Sequence, residues 1–208
     1  MKTKTARITR LGLLSAIMIA MSYLPAGYTN IGPVPITLNP IILAVAAYTT
    51  GPAGGALIGG VFGFTSLLQC FGRSPLSTAL FGVNPFLTAV LCFVPRIFDG
   101  YIIGLLSDLM RKRSVKPMIN SYITSFLSAF LNTVFYMSTL ILLFGNSKEV
   151  TDLRNALAPS KNVFLFVCAL VGAQAIGEWI TTTVIAGSVG YALSRSGLNS
   201  SNASKSTS

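Results

Sequence analysis

The chain contains no histidine and only five acidic residues, and its three cysteines, Cys70, Cys92 and Cys168, show no CxxC spacing. A zinc site, a Cys/His dyad and a disulfide scaffold all lack the residues they would need. There is no GxxxxGK[ST] phosphate loop, no HExxH and no GxSxG, so the chain carries none of these ATP-binding, metalloprotease or nucleophile-elbow motifs. With no carboxylate cluster either, we read a binding or transport role rather than an enzyme, and expect no metal and no cofactor.

Charge of either sign is scarce. Charged residues make up 10% of the 208 positions, hydrophobic residues 52%, and the mean hydropathy is +0.69. That is more apolar surface than one soluble core of this size would bury, and lipid is its natural solvent. At about 20 residues per span, the length allows roughly five to seven helices. We expect one all-α polytopic membrane domain over residues 1–195 and a polar, low-complexity, disordered cytoplasmic tail over 196–208. The net charge of +10 does not argue for nucleic acid, because Lys and Arg gather at segment ends and loops rather than along one face.

Six spans are predicted, at 8–24, 36–50, 56–69, 84–106, 118–144 and 161–193. The first, behind Lys2, Lys4, Arg7 and Arg10, has the alternative reading of a secretory signal, but no convincing small-x-small site precedes Tyr28. The following loop holds Pro25, Pro33, Pro35 and Pro40 with Gly27 and Gly32 and no charge. It forbids a regular helix and could cover a cavity. The second span is short, and Gly51-Pro52-Ala53-Gly54-Gly55 turns the chain straight back into the third; a re-entrant hairpin is the rival reading, with the same downstream topology. An N-in, C-in orientation puts ten Lys and Arg on the cytoplasmic side against four outside, with Arg96 left within the fourth span.

An ionisable group at mid-membrane costs on the order of 3 kcal/mol and needs a reason to be there. Arg96, Asp99 and Glu178 are such groups. Asn84, Thr88, Cys92 and Arg96 recur every four residues on one helix, Ser125, Ser128, Asn132 and Tyr136 at steps of three and four on the next, and Gln174, Glu178, Thr181 and Ile185 on the last. Three helices thus offer hydrogen-bonding groups to one cavity, with Arg96 and Asn132 weighing most. The plainer reading is that these groups bond to one another, Arg96 to Asp99 or Glu178, and serines to their own backbone carbonyls. Gly12, Ala16 and Ala20 form a small-residue ladder on the first span, and Gly55, Gly59 and Gly63 another on the third. Each can serve internal packing or docking to another membrane protein; on the third span packing is the better reading.

Taken together, Ala16-Ile17-Met18-Ile19-Ala20 as an AxxxA motif, the proline-rich loop, GPAGGALIGGVFGFTSL and NPFLTAVLCFVPRI resemble the substrate-binding S components of energy-coupling factor (ECF) transporters over residues 8–193. The string PITLNPIILAVAAYTTGPAGGALIGGVFGFTSLL is most similar to the pantothenate-type members, with Leu38-Asn39-Pro40 where those chains often read Ile-x-His-Ile-Pro. The resemblance implies a vitamin held near the outer face between helices four to six under the first loop. It also implies that helix one meets a transmembrane coupling subunit, with two separate ATPase subunits, in the cell membrane. For pantothenate, Arg96 would meet the carboxylate, and Asn132, Gln174, Asn84, Tyr136 and Thr88 would line the site with Glu178. Riboflavin, folate, cobalamin or hydroxymethylpyrimidine are the alternative ligands. Other classes remain open: an ion-coupled carrier with Asp99 and Glu178 as a proton relay, though no repeat relates residues 1–104 to 105–208, or an embedded enzyme or assembly factor.

Overall fold

Proline sets the start of four helices, where its missing N–H would have no intrahelical partner in any case: Pro75, Pro85 and Pro117 stand at the first position and Pro40 at the second. The computed structural model describes residues 2–24, 28–30, 35–157 and 163–196. Its elements run α1 (Lys2–Tyr23), β1 (Tyr28–Asn30), β2 (Pro35–Thr37), α2 (Asn39–Gln69), α3 (Pro75–Val83), α4 (Pro85–Lys112), α5 (Pro117–Phe144), α6 (Lys148–Leu157) and α7 (Val163–Arg195). Among the described residues four helices, Thr5–Tyr23 of α1 with α2, α4 and α5, are long and apolar enough to cross a membrane.

α2 is a hairpin. Gly51 takes φ 76° inside it, a left-handed value that glycine adopts without a Cβ penalty, and Pro52 follows. Asn39 Nδ2 donates to Ser22 Oγ at 2.9 Å and Gln69 Nε2 to the Ser22 carbonyl at 3.3 Å. A straight helix of this length would hold those two ends about 45 Å apart; here both reach one residue of α1. The arm before Gly51 ends with carbonyls that lack a helical N–H donor. Arg111 Nη2 donates to the Tyr48 carbonyl at 2.7 Å and Arg7 Nη2 to that of Thr50 at 3.3 Å.

The arm after Gly51 packs antiparallel on α4, and glycine sets the separation. A Cβ at Gly55 would run into the Gly100 backbone, one at Gly59 into the Arg96 carbonyl, and one at Gly63 would lie 2.9 Å from the Cys92 carbonyl. The Gly55, Gly59 and Gly63 ladder is therefore internal packing. Met18, Ile42, Leu43, Ala46, Ile58 and Phe62 seal α1 against both arms.

The start of α1, the Gly51 bend, the end of α4, the start of α5 and the end of α7 share one end of the bundle, since Tyr48 Oη donates to the Pro117 carbonyl at 3.3 Å and Gly190 packs on Tyr48. At the opposite end, Leu76 and Leu80 of α3 and Val150 of α6 cluster with Phe144.

The structure departs from the sequence reading in three places. Ile36 and Thr37, expected in span two, belong to β2, which pairs antiparallel with β1 as Tyr28↔Thr37, Thr29↔Ile36 and Asn30↔Pro35; Pro35 cannot sit in a helix interior but fits a strand edge. The short helices α3 and α6 were not anticipated. α4 runs to Lys112 rather than 106, with Ser107 fully buried, because the chain stays in bundle contact for another turn and a half. Most of the tail, residues 197–208, lies outside the described residues. Gly59→Ile should lower the unfolding temperature in detergent by roughly 5 °C or more; unchanged melting would contradict the close crossing of α2 and α4.

Candidate functional site

Arg96 owes its position to the residue before it. Pro95 lies inside α4 and has no N–H, so the Leu91 carbonyl four residues back loses its helical donor. Arg96 folds its side chain towards the start of α4 and fills the gap: Nη1 donates to Leu91 O at 3.2 Å and to Cys92 O at 3.0 Å. Its guanidinium lies between the Phe62 ring of α2 at 4.7 Å and the Tyr136 ring of α5 at 5.1 Å, an arrangement in which ring faces attract the cation. Arg96 is 9% exposed, and its Nε has no hydrogen-bond partner among the described residues.

Hydrogen bonds fix how the neighbouring helices sit against α4. Asn120 Nδ2 donates to the Ser107 carbonyl at 3.0 Å. Stepping one turn at a time along the antiparallel pair then brings Asp99 level with Ser128, Arg96 with Asn132, and Cys92 with Tyr136. On the other side of α5, Ser121 Oγ donates to Gly187 O at 2.8 Å and Trp179 Nε1 to Thr133 Oγ1 at 3.4 Å. The same stepping sets Asn132 level with Glu178 and Ser128 level with Thr182. Two polar layers result: Arg96, Asn132 and Glu178, and one turn further towards the Gly51 end, Asp99, Ser128 and Thr182.

Both layers hold unmet hydrogen-bonding capacity. Among the described residues, Asn132 Oδ1, both oxygens of Asp99, Ser128 Oγ and Thr182 Oγ1 are buried without a partner. Buried polar atoms cost free energy when unpaired, and such a cluster points to water, an ion or a ligand. The Asp99 oxygens also show that Arg96 and Asp99, three residues apart, are not bonded to each other.

The other expected site residues fare differently. Asn84 is half-buried and caps α4, its Oδ1 accepting from Leu87 N at 3.1 Å. Thr88 is fully buried, its hydroxyl donating to the Asn84 carbonyl at 3.0 Å. Tyr136 and Glu178 are half-buried in the bundle. Gln174 lies on α7, with its side chain outside the described residues. The α7 stripe needs correction. Thr181 bonds back to Gly177 O at 2.7 Å and Ile185 is 43% exposed, whereas Thr182 and Ala186 are buried. From Glu178 a helix offers positions three and four residues on; the small residues Ala175, Ala186 and Gly190 on the packed face select the latter, and that pattern of small residues was the available signal.

On α1, Gly12, Ala16 and Ala20 are all exposed while Met18 is fully buried, and nothing lies within 4 Å of where a Gly12 Cβ would be. This ladder is not used for packing within the described chain. A groove over Phe126, Ile176, Trp179, Ile180, Thr183 and Val184 is almost wholly apolar and offers nothing to a polar ligand.

A family profile described as "ECF transporter, substrate-specific component" matches residues 6–189. The chain is also 28% identical over 183 residues to "Pantothenate transporter PanT" of Leuconostoc mesenteroides subsp. mesenteroides, covering 87% of this chain and 85% of that protein. Pro95→Ala returns a donor to Leu91 and releases Arg96 from its tether. We expect this variant to melt no lower than the parent, since an interior proline costs a helix about 3 kcal/mol, while ligand binding weakens roughly tenfold through lost preorganisation. Undiminished affinity would rule out Pro95 as a positioning residue.

Proposed function

The chain belongs to the substrate-specific components of ECF transporters, and from that membership we propose that it is a membrane-embedded binding subunit for pantothenate. In this reading it hands its ligand to a transmembrane coupling subunit powered by two separate ATPase subunits. The observation that carries the reading is Arg96: a guanidinium tethered to backbone, close to two aromatic rings, with a buried Nε that has no partner among the described residues. A carboxylate is the natural complement of such a group. Pantothenate brings one carboxylate, one amide and two hydroxyls. Asn132 offers an acceptor without a partner among the described residues on the same level, Glu178 and Tyr136 stand beside it, and Gln174, four positions before Glu178 in the sequence, is assigned to the site with them. Asn84 and Thr88 take the lesser part of shaping the outer end of α4, since their side chains are already engaged. The name of the Leuconostoc relative supports the same ligand.

For the membrane, six spans with both ends in the cytoplasm follow if the two arms of α2 count separately and α7 also crosses. The clustering of Arg7, Arg111, Lys112 and Arg113 with the Gly51 bend at one end supports a cytoplasmic assignment of that end. The β1–β2 ribbon, with β1 against α1 and β2 against α7, would cover the outer mouth. The exposed Gly12, Ala16 and Ala20 face is the surface for the coupling subunit.

Purified protein screened by thermal shift against water-soluble vitamins should be stabilised by pantothenate, and Arg96→Ala should abolish that response while the protein remains folded. Stabilisation by riboflavin or folate instead, or an unaltered response in Arg96→Ala, would overturn the assignment. Ala16→Trp should block copurification with the coupling subunit and leave pantothenate binding intact; normal complex yield would remove α1 from the interface.

A further inference from the structure

We infer that Asp99, Ser128 and Thr182 form a site for a small monovalent cation of the sodium type, one turn towards the Gly51 end from Arg96. All three residues are fully buried, they come from three different helices, and the register derived above puts them on one level. Both carboxylate oxygens and both hydroxyls lack a partner among the described residues. Four oxygens, one of them carrying formal charge, make a hard donor set of the kind that takes alkali and alkaline-earth ions rather than softer metals.

Charge bookkeeping points the same way. A buried carboxylate needs compensation, and no hydrogen bond or salt bridge among the described residues supplies it. Arg96, the nearest cation along α4, turns its guanidinium the other way, onto the Leu91 and Cys92 carbonyls. On the α2 side, the next residue of α4, Gly100, lies against the Gly55 backbone and Leu43, neither of which carries a charge. A single positive ion balances the carboxylate, whereas a divalent ion would leave an excess charge in a low-dielectric interior. Should an anionic ligand also occupy Arg96, the two events favour each other, since each removes a charge the other would leave exposed. That coupling rests on the pantothenate reading; the cation site itself does not.

The test uses the purified full chain and sodium alone. In 100 mM sodium chloride the melting temperature should stand roughly 5 °C above that in choline chloride of equal ionic strength, as expected for an ion about a hundredfold above its Kd. Asp99→Asn should abolish the difference, and Thr182→Val, which keeps the shape and removes one oxygen, should raise the sodium concentration needed about tenfold. Arg96→Ala should keep the sodium response even if it loses pantothenate, which separates failure of this site from failure of the ligand assignment. Equal melting in the two salts, a sodium response that survives in both Asp99→Asn and Thr182→Val, or a shift that follows pH and ignores sodium would overturn the proposal.

Discussion

A carbonyl without its donor organises the centre of this protein. Because Pro95 contributes no N–H, Leu91 O must be satisfied from elsewhere, and the side chain of the next residue does it. The same contact that repairs the helix aims a cation into the space between α2, α4 and α5, where the Phe62 and Tyr136 rings hold it. A long, flexible side chain would lose considerable rotamer freedom on binding a ligand; tethering Arg96 beforehand means that this cost is met in folding. In the proposed reading, the proline-interrupted helix and the ligand site are one feature.

Close packing on the far side of α4 makes that arrangement possible. Gly55, Gly59 and Gly63 let α2 approach the backbone of α4 at Gly100, Arg96 and Cys92. With larger residues there, Phe62 could not lie over the guanidinium. The hairpin bend at Gly51 completes the support: its uncapped carbonyls are held by Arg7 from α1 and Arg111 from α4, so the basic end of the bundle is knitted through backbone acceptors as well as through charge. The α1–α2 side is thus closely packed on α4, while α4, α5 and α7 carry the buried Asp99, Ser128, Asn132 and Thr182.

Much of this was legible in the residues. Hydropathy and Gly51-Pro52 located the hairpin, since glycine accepts the positive φ of the bend and proline suits the start of the second arm, and spacings of three and four residues found the polar faces of α4 and α5. Arg96 and Asn132, which weigh most in the sequence, are both buried, and Arg96 Nε and Asn132 Oδ1 have no hydrogen-bond partner among the described residues. Other features were beyond local pattern. Whether Thr181 or Thr182 faces inward depends on the rotation of α7, which packing against α5 decides through Ser121 and Gly187. That Asn84 would be consumed as a helix cap follows from where α4 begins, and α3, sitting just before it, was not foreseen. The strands β1 and β2 arise where proline excludes helix, and at three residues each they are too short to show a periodicity.

The central claim is that Arg96 reads a carboxylate, and the most direct measurement is a calorimetric comparison of pantothenate with the analogue in which its carboxylate is replaced by a primary alcohol, on the parent protein and on Arg96→Ala. A buried charged pair is worth on the order of 3 kcal/mol or more, so the parent should prefer pantothenate by about a hundredfold and the variant should bind both equally weakly. Equal affinity of the parent for the two compounds, or an undiminished preference in the variant, would contradict the account.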